Sequence, residues 1–160
     1  MDGFYWLIEN ELAGCPRPGS RKGRATDGDA LDADLAWLRE RGIGAILSMT
    51  ETPLDEATLA RFDFHTLHLP VDDLHAPTPA QLHYALRFID EQRALGNRIA
   101  VHCLIGQGRT GTILAAYLIR GGSSVDDALR RLRTLSPGAI SAKEQEQALH
   151  AFATRREWVI

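Results

Sequence analysis

The sequence predicts an α/β fold, with a central, mostly parallel twisted sheet flanked by helices on both faces. Three observations predict it. Short apolar runs alternate with segments whose apolar residues recur at helical spacing, an order that produces parallel strands buried between helices. Each change of period is marked by Gly, Pro or a capping residue. The chain has 160 residues, 44% hydrophobic and 24% charged, which suffices to bury a core in one compact domain without staples.

Taken in order, Phe4–Ile8 is short, apolar and aromatic and reads as a strand. Residues 14–29 are rich in Gly, Pro and Arg and read as a loop. Leu31, Leu35, Trp37 and Leu38 recur at helical spacing, and Gly42 stops that helix. Residues 43–49 read as a buried strand. Thr52-Pro-Leu-Asp55 opens a short helix, since proline suits a first helical position. Residues 64–71 alternate like a strand. Thr78-Pro-Ala-Gln81 opens a strong helix with Leu82, Leu86 and Ile89 on one face and a stop at Gly96. Residues 99–102 form the central strand, and residues 111–120 the next helix, ended by Gly121-Gly122. Ser124 caps a helix over 127–135, and Ser141-Ala-Lys-Glu144 matches a capping box for the last one. No internal repeat or low-complexity tract is visible.

Composition narrows the function. A net charge of −3 gives no general affinity for nucleic acid or membranes, so neither is an expected partner. No apolar run approaches the length of a membrane span. The first residues, Met1-Asp-Gly-Phe-Tyr-Trp6, lack the basic and apolar regions of a secretory leader. The two cysteines, Cys15 and Cys103, make no disulfide framework, and a reactive thiol suits a reducing compartment, so a cytoplasmic location is expected. His65, His68, His75 and His83 are scattered without metal-ligand spacing. No metal and no cofactor is expected.

Residues 101–112, Val-His-Cys-Leu-Ile-Gly-Gln-Gly-Arg-Thr-Gly-Thr, carry the chemistry. An apolar strand leads in and an apolar helix leads out. Such a strand–loop–helix turns successive amides inward over a helix N-terminus and cradles an anion. A thiol at its start, Cys103, has its thiolate favoured by the same donors. Arg109 at its end can grip two phosphate oxygens at once. Gly106, Gly108 and Gly111 give the backbone freedom to approach closely. The chemistry that follows is attack of sulfur on a phosphate ester.

The stretch His102-Cys103-(x5)-Arg109-Thr110-Gly111 resembles the active-site loop of the cysteine-dependent protein tyrosine and dual-specificity phosphatases, and the short atypical dual-specificity branch most closely. Leu69-Pro-Val-Asp-Asp-Leu-His-Ala-Pro77 is similar to that family's general-acid loop. Ser136-Pro-Gly-Ala-Ile140 with Glu144-Gln-Glu146 is similar to its C-terminal helical segment. Residues 6–14 and Leu47-Ser-Met-Thr-Glu51 are similar to its N-terminal strands. The resemblance implies one catalytic domain over residues 1–160.

Cys103 is then the nucleophile, and Leu104, Ile105, Gly106, Gln107, Gly108 and Arg109 bind the phosphate. Arg109 also stabilises the transition state. Thr110 is placed to donate its hydroxyl to the sulfur, or to cap the helix start. His102 orients the loop. The leaving oxygen needs a proton that nothing in the loop supplies. Asp72 and Asp73 follow an apolar strand and precede Pro77 and Pro79, and the resemblance favours Asp73, with Asp72 as competitor. The same aspartate then activates water in the second step.

By resemblance, too, Cys15 is a candidate resolving thiol for Cys103. Arg17, Arg21, Lys22 and Arg24 form a basic loop that either borders the cleft or is merely solvated. Gln145 and Gln147 either place the hydrolytic water or lie plainly on the surface. The expected substrate is a phosphorylated protein or peptide, phosphotyrosine foremost and phosphoserine or phosphothreonine after it. The alternatives are a phosphoinositide, nucleotide or RNA 5′-phosphate, an inactive phosphate-binding module, and a sulfur-transfer or arsenate-reducing enzyme. The sequence fixes no oligomeric state; a monomer is the expectation.

Overall fold

The computed structural model describes residues 1–21, 24–25 and 28–155. Its strands are β1 (Tyr5–Ile8), β2 (Leu12–Cys15), β3 (Ser20–Arg21), β4 (Arg24–Ala25), β5 (Ile43–Ser48), β6 (His65–His68) and β7 (Arg98–His102). Its helices are α1 (Gly28–Glu40), α2 (Glu56–Arg61), α3 (Pro79–Ala94), α4 (Gly108–Arg120), α5 (Val125–Leu135) and α6 (Lys143–Thr154). The main sheet runs β1-β2-β7-β5-β6. In this sheet β1–β2 is antiparallel and β2–β7, β7–β5 and β5–β6 are parallel; β3 and β4 form a separate antiparallel pair. The mostly parallel α/β sheet covered on both faces is therefore the observed fold.

Strand alternation divides the core between the two faces. Ala45 and Leu47 of β5 and Ile99 and Val101 of β7 face α3, α4, α5 and α6. Ile43 and Ile46 of β5 and Ala100 of β7 face Leu35 and Leu38 of α1 and Leu59 of α2. Ile43 and Ile46 share a face despite their odd spacing because the β5–β7 register shifts between Ile43 and Ala45. The carboxyl ends of β2, β7 and β5 lie side by side, which is where an open parallel sheet places its ligand crevice.

Several elements differ from the sequence expectation, β3 and β4 within the expected loop among them. Leu12–Cys15 is buried strand, not the start of a loop. Gly14 is there for close approach: a Cβ on it would lie 2.5 Å from the Tyr5 ring. The short helix begins at Glu56, not Pro53, because Asp55 caps it by accepting from the Thr58 amide at 3.0 Å. α4 starts at Gly108, three residues before Gly111. α6 starts without the Ser141–Glu144 capping box. Its N-cap is Ala142 with no side-chain bond, because the Glu144 carboxylate accepts from the Ala76 amide at 2.9 Å instead. The Thr78 box does form, with Gln81 as its second member, and Ser124 caps α5 through the Asp127 amide.

Candidate active site

β7 delivers His102 and Cys103 to the centre of the crevice, and the chain turns through Leu104–Gln107 into α4. The carbonyls of this loop point outward. Leu104 accepts from the Arg17 amide at 2.9 Å, Gly106 from the Tyr5 hydroxyl at 3.2 Å, and Gln107 from the Ile140 and Gly111 amides. A trans peptide sets each following N–H opposite its carbonyl, so the amides of Ile105, Gln107 and Gly108 face the interior of the loop. Gly106 has φ +80°, and a Cβ there would lie 2.6 Å from the Cys15 carbonyl carbon. It is glycine for both reasons. Gln107, the N-cap of α4, makes no side-chain cap, which leaves the first amides of the helix to a ligand. Cys103, at 2% exposure, forms the floor.

Arg109 is as buried as Cys103. Its Nη1 donates to the Val71 carbonyl at 2.7 Å and pairs with Glu51. Its Nη2 lies 3.4 Å from Asp73 Oδ1. Its Nε has no partner. Nε and Nη2 present the parallel N–H pair that matches two oxygens of a phosphate. A buried unpaired donor costs about 1–3 kcal/mol, so Nε is suited to donate to a phosphate oxygen. Glu51 holds the opposite edge. Partial burial opposes its charge, but bonds from its own backbone and Arg109, and the charges of Arg109 and Arg17, outweigh that and keep its carboxyl below the usual range.

His102 is fully buried, and that burial is the main reason its imidazole is depressed to about 3. The charges of Arg17, His68 and Arg109 act in the same direction, against a hydrogen bond to the Cys103 carbonyl. The ring is neutral, with Nδ1–H donating to that carbonyl at 3.2 Å and Nε2 accepting from the Ser48 hydroxyl at 2.6 Å. It bonds to the backbone of the loop at the Cys103 carbonyl. Thr110 is buried, but its hydroxyl makes no hydrogen bond; the expected bond to the Cys103 sulfur is not formed here. Burial, then the electrostatic influence of the nearby Cys103 and Cys15, pushes the Tyr5 phenol upward, so Tyr5 is a neutral donor to the loop.

The two aspartates diverge. Asp73 reaches Arg109 and accepts from the Leu74 amide at 3.0 Å, while the recorded contact of Asp72 is its backbone carbonyl, accepting from the His75 amide. The loop that carries them is tied to α6. Glu144 pairs with His75 at 3.1 Å and holds Ala76, and Gln145 Nε2 donates to the His75 carbonyl at 3.2 Å. Gln145 is 1% exposed, its Oε1 has no partner, and its amide lies where a Gly108 Cβ would be. It is therefore wedged between the two loops, whereas Gln147 is exposed.

Arg17 and Arg21 of the basic loop border a cleft beside the phosphate loop, and both are bonded in place. Arg17 bonds to Thr50, Thr52 and Pro53, and Arg21 pairs with the buried Asp34 at 2.7 Å. Lys22 lies outside the described residues. Cys15 is a free, fully buried thiol at the end of β2, pushed upward by burial and then by the charges of Cys103 and Asp34. A cavity of about 1010 Å³ opens beside the phosphate loop, lined by Pro16, Arg17, Ser20, Arg21, Leu104 and Ile105, among others. Among the described residues no three His, Cys, Asp or Glu side chains are grouped to hold a metal ion.

Sequence reasoning missed Glu51, Ser48, Tyr5 and the structural role of Arg17. Glu51 left one signal: it is an acidic residue just past a buried apolar strand, where parallel strands end together.

A parallel sheet whose central strand ends in this Cys-(x5)-Arg cradle defines the tyrosine and dual-specificity phosphatase class. The chain belongs to the family described as "Polymorphic toxin system, DSP-PTPase phosphatase", which matches residues 20–123. It is 27% identical over 125 residues to phosphatidylglycerophosphate phosphatase PTPMT2 of Arabidopsis thaliana, covering 75% of this chain and 55% of that protein. It thus spans just over half the plant relative's length. It is 29% identical over 120 residues to protein tyrosine phosphatase type IVA 3 of Bos taurus, covering 71% and 67%. The crystal structure of Tk-PTP in the active form superposes with a TM-score of 0.82 at 26% identity, covering 96% of this chain and 98% of the other.

Proposed function

We propose that the chain hydrolyses phosphate monoesters through a phosphocysteine on Cys103, with phosphotyrosine-bearing proteins as substrates and phosphoserine or phosphothreonine accepted after them. The observation that carries this reading is the unpartnered Nε edge of the buried Arg109, facing a loop whose amides turn inward around Cys103. The loop and the Arg109 fork bind the phosphate oxygens, and the Cys103 thiolate attacks phosphorus. Asp73, within reach of the same guanidinium, protonates the leaving oxygen, then takes a proton from the water that hydrolyses the phosphocysteine. Gln145 is in position to orient that water. No step calls for a metal or cofactor.

A lipid phosphate ester is the second reading, supported by the likeness to a phosphatidylglycerophosphate phosphatase. The loop residues Leu104, Ile105 and Gln107 include no lysine to meet a second phosphate, which favours the protein substrate. The test is hydrolysis of an aryl phosphate in reductant and chelator, with Cys103→Ser beside the wild type, followed by phosphopeptides against phosphatidylglycerophosphate vesicles. Chelator-resistant activity, absent from the mutant and higher on phosphopeptides, is expected. Turnover by Cys103→Ser would overturn the mechanism, and a preference for the vesicles would overturn the substrate.

A further inference from the structure

We propose that Arg17 is a positioning residue for Arg109, acting through the turn that carries Glu51; the proposal rests on the phosphatase reading of this site. Three loops meet at Arg17. Its amide donates to the Leu104 carbonyl of the phosphate loop at 2.9 Å. Its guanidinium donates to Thr50 Oγ1 at 2.8 Å, to the Thr52 carbonyl at 2.7 Å and to the Pro53 carbonyl at 3.1 Å. These three acceptors flank Glu51, so the segment that presents Glu51 to Arg109 is clamped from this side. The other side is closed by His68, whose Nε2 donates to the Thr50 carbonyl at 2.7 Å. The turn also bonds to itself, Thr50 Oγ1 to the Thr52 carbonyl at 2.7 Å.

Arg17 is in turn fixed in place. Its carbonyl accepts from the Ser20 amide at 3.0 Å and from the Ser20 hydroxyl at 2.6 Å, and the Gly19 amide is held by Asp34 at 2.7 Å. None of its described hydrogen bonds goes to a carboxylate, so its role is not that of a surface ion pair. A cation held by neutral acceptors at both ends of a turn fixes that turn's geometry. What the geometry delivers is the Glu51 carboxylate on Arg109 Nη1, with Nη2 3.4 Å from Asp73 and Nε left without a protein partner.

The experiment is a double-mutant cycle of Arg17→Met and Glu51→Gln, with Arg17→Lys as the conservative variant. It is read as kcat and KM on an aryl phosphate and as vanadate affinity, with thermal unfolding measured in parallel. Arg17→Met is expected to lower kcat/KM by on the order of 10–100-fold, as a displaced catalytic group does. Vanadate affinity weakens in step, and Arg17→Lys recovers most of the loss. In the Glu51→Gln background the same substitution adds little, because the route through Glu51 is already cut. Equal losses in both backgrounds, or a lower melting temperature with unchanged kcat/KM and vanadate affinity, overturn the proposal. If Arg17→Met does not fold, Thr50→Val, which removes one of the acceptors, takes its place in the cycle. A wild type that binds vanadate without turnover overturns the phosphatase reading, while the cycle on vanadate affinity still decides the role of Arg17.

Discussion

His102 makes the fold acid-sensitive by an amount that follows from its surroundings. The ring is sealed between Ser48 and the Cys103 carbonyl, with no solvent contact, and its folded pKa lies at about 3 against an ordinary 6.5. Below pH 6.5 the unfolded chain takes up a proton that the folded chain refuses, so stability rises with pH across this window. The contribution is complete above the unfolded value and is lost as pH falls from 6.5 toward 3. Each pH unit inside the window costs about 1.4 kcal/mol, so acidification to about pH 4.5 removes roughly 3 kcal/mol. Denaturant unfolding of the wild type beside His102→Gln, at several pH values from neutral to about 4.5, isolates this group because the other titrations cancel in the difference. The variant is expected to start less stable, having lost a buried hydrogen bond, and the two curves to converge with a slope of one proton. The imidazole resonance of His102 in the folded protein stays in its neutral position down to about pH 4.5 on the same reasoning. Parallel stability curves, or a His102 resonance that titrates near its ordinary value, would refute it.

Two further predictions follow from distances in the site. Gly106→Ala brings a Cβ to 2.6 Å from backbone at the end of β2 and keeps φ at +80°. Left-handed strain adds about 1–2 kcal/mol and overpacking about 1–3. A loss of melting temperature of roughly 5–15 °C is expected, with weaker vanadate binding. Unchanged values of both would show that the loop does not need its close approach to Cys15. Asp73→Asn removes the carboxyl nearest Arg109 and is expected to lower kcat by about 10²–10⁴-fold, as loss of a general acid does, with little change in vanadate affinity. Asp72→Asn should leave kcat within about threefold if its carboxylate stays outside the site; the reverse ranking in a steady-state assay would exchange the two roles.

What was legible in the sequence is what is contiguous in it. Cys103, Gly106, Gly108 and Arg109 lie within seven residues, because one turn between one strand and one helix makes the whole anion cradle. The groups that prepare this cradle come from elsewhere. Tyr5 bonds to Gly106 across 101 positions, Arg109 meets Glu51 across 58, and Gln145 reaches His75 across 70. No local period or spacing signals such pairs, since each is made only when the fold brings distant segments together. Arg17 shows the limit most clearly. In a segment with Arg21, Lys22 and Arg24 it reads as part of a charge cluster that borders the cleft or is merely solvated, and nothing local shows that folding turns it onto a hydroxyl and two carbonyls.

The misplaced start of α6 has a physical cause. A capping signal states what a side chain can offer to its own helix, and it decides the boundary only when no stronger partner is present. Thr78 and Ser124 cap as their sequences suggest because nothing else competes for their hydroxyls. Glu144 sits in an equally good box and leaves it for the Ala76 amide and His75. That exchange sacrifices a local cap to tie the loop bearing Asp73 to α6, next to Gln145. The departure from the local rule therefore falls on a residue that supports the site, as it does at Gln107, whose missing cap leaves the first amides of α4 open to phosphate. The unfulfilled capping signal at Glu144 thus borders the same crevice as the uncapped start of α4.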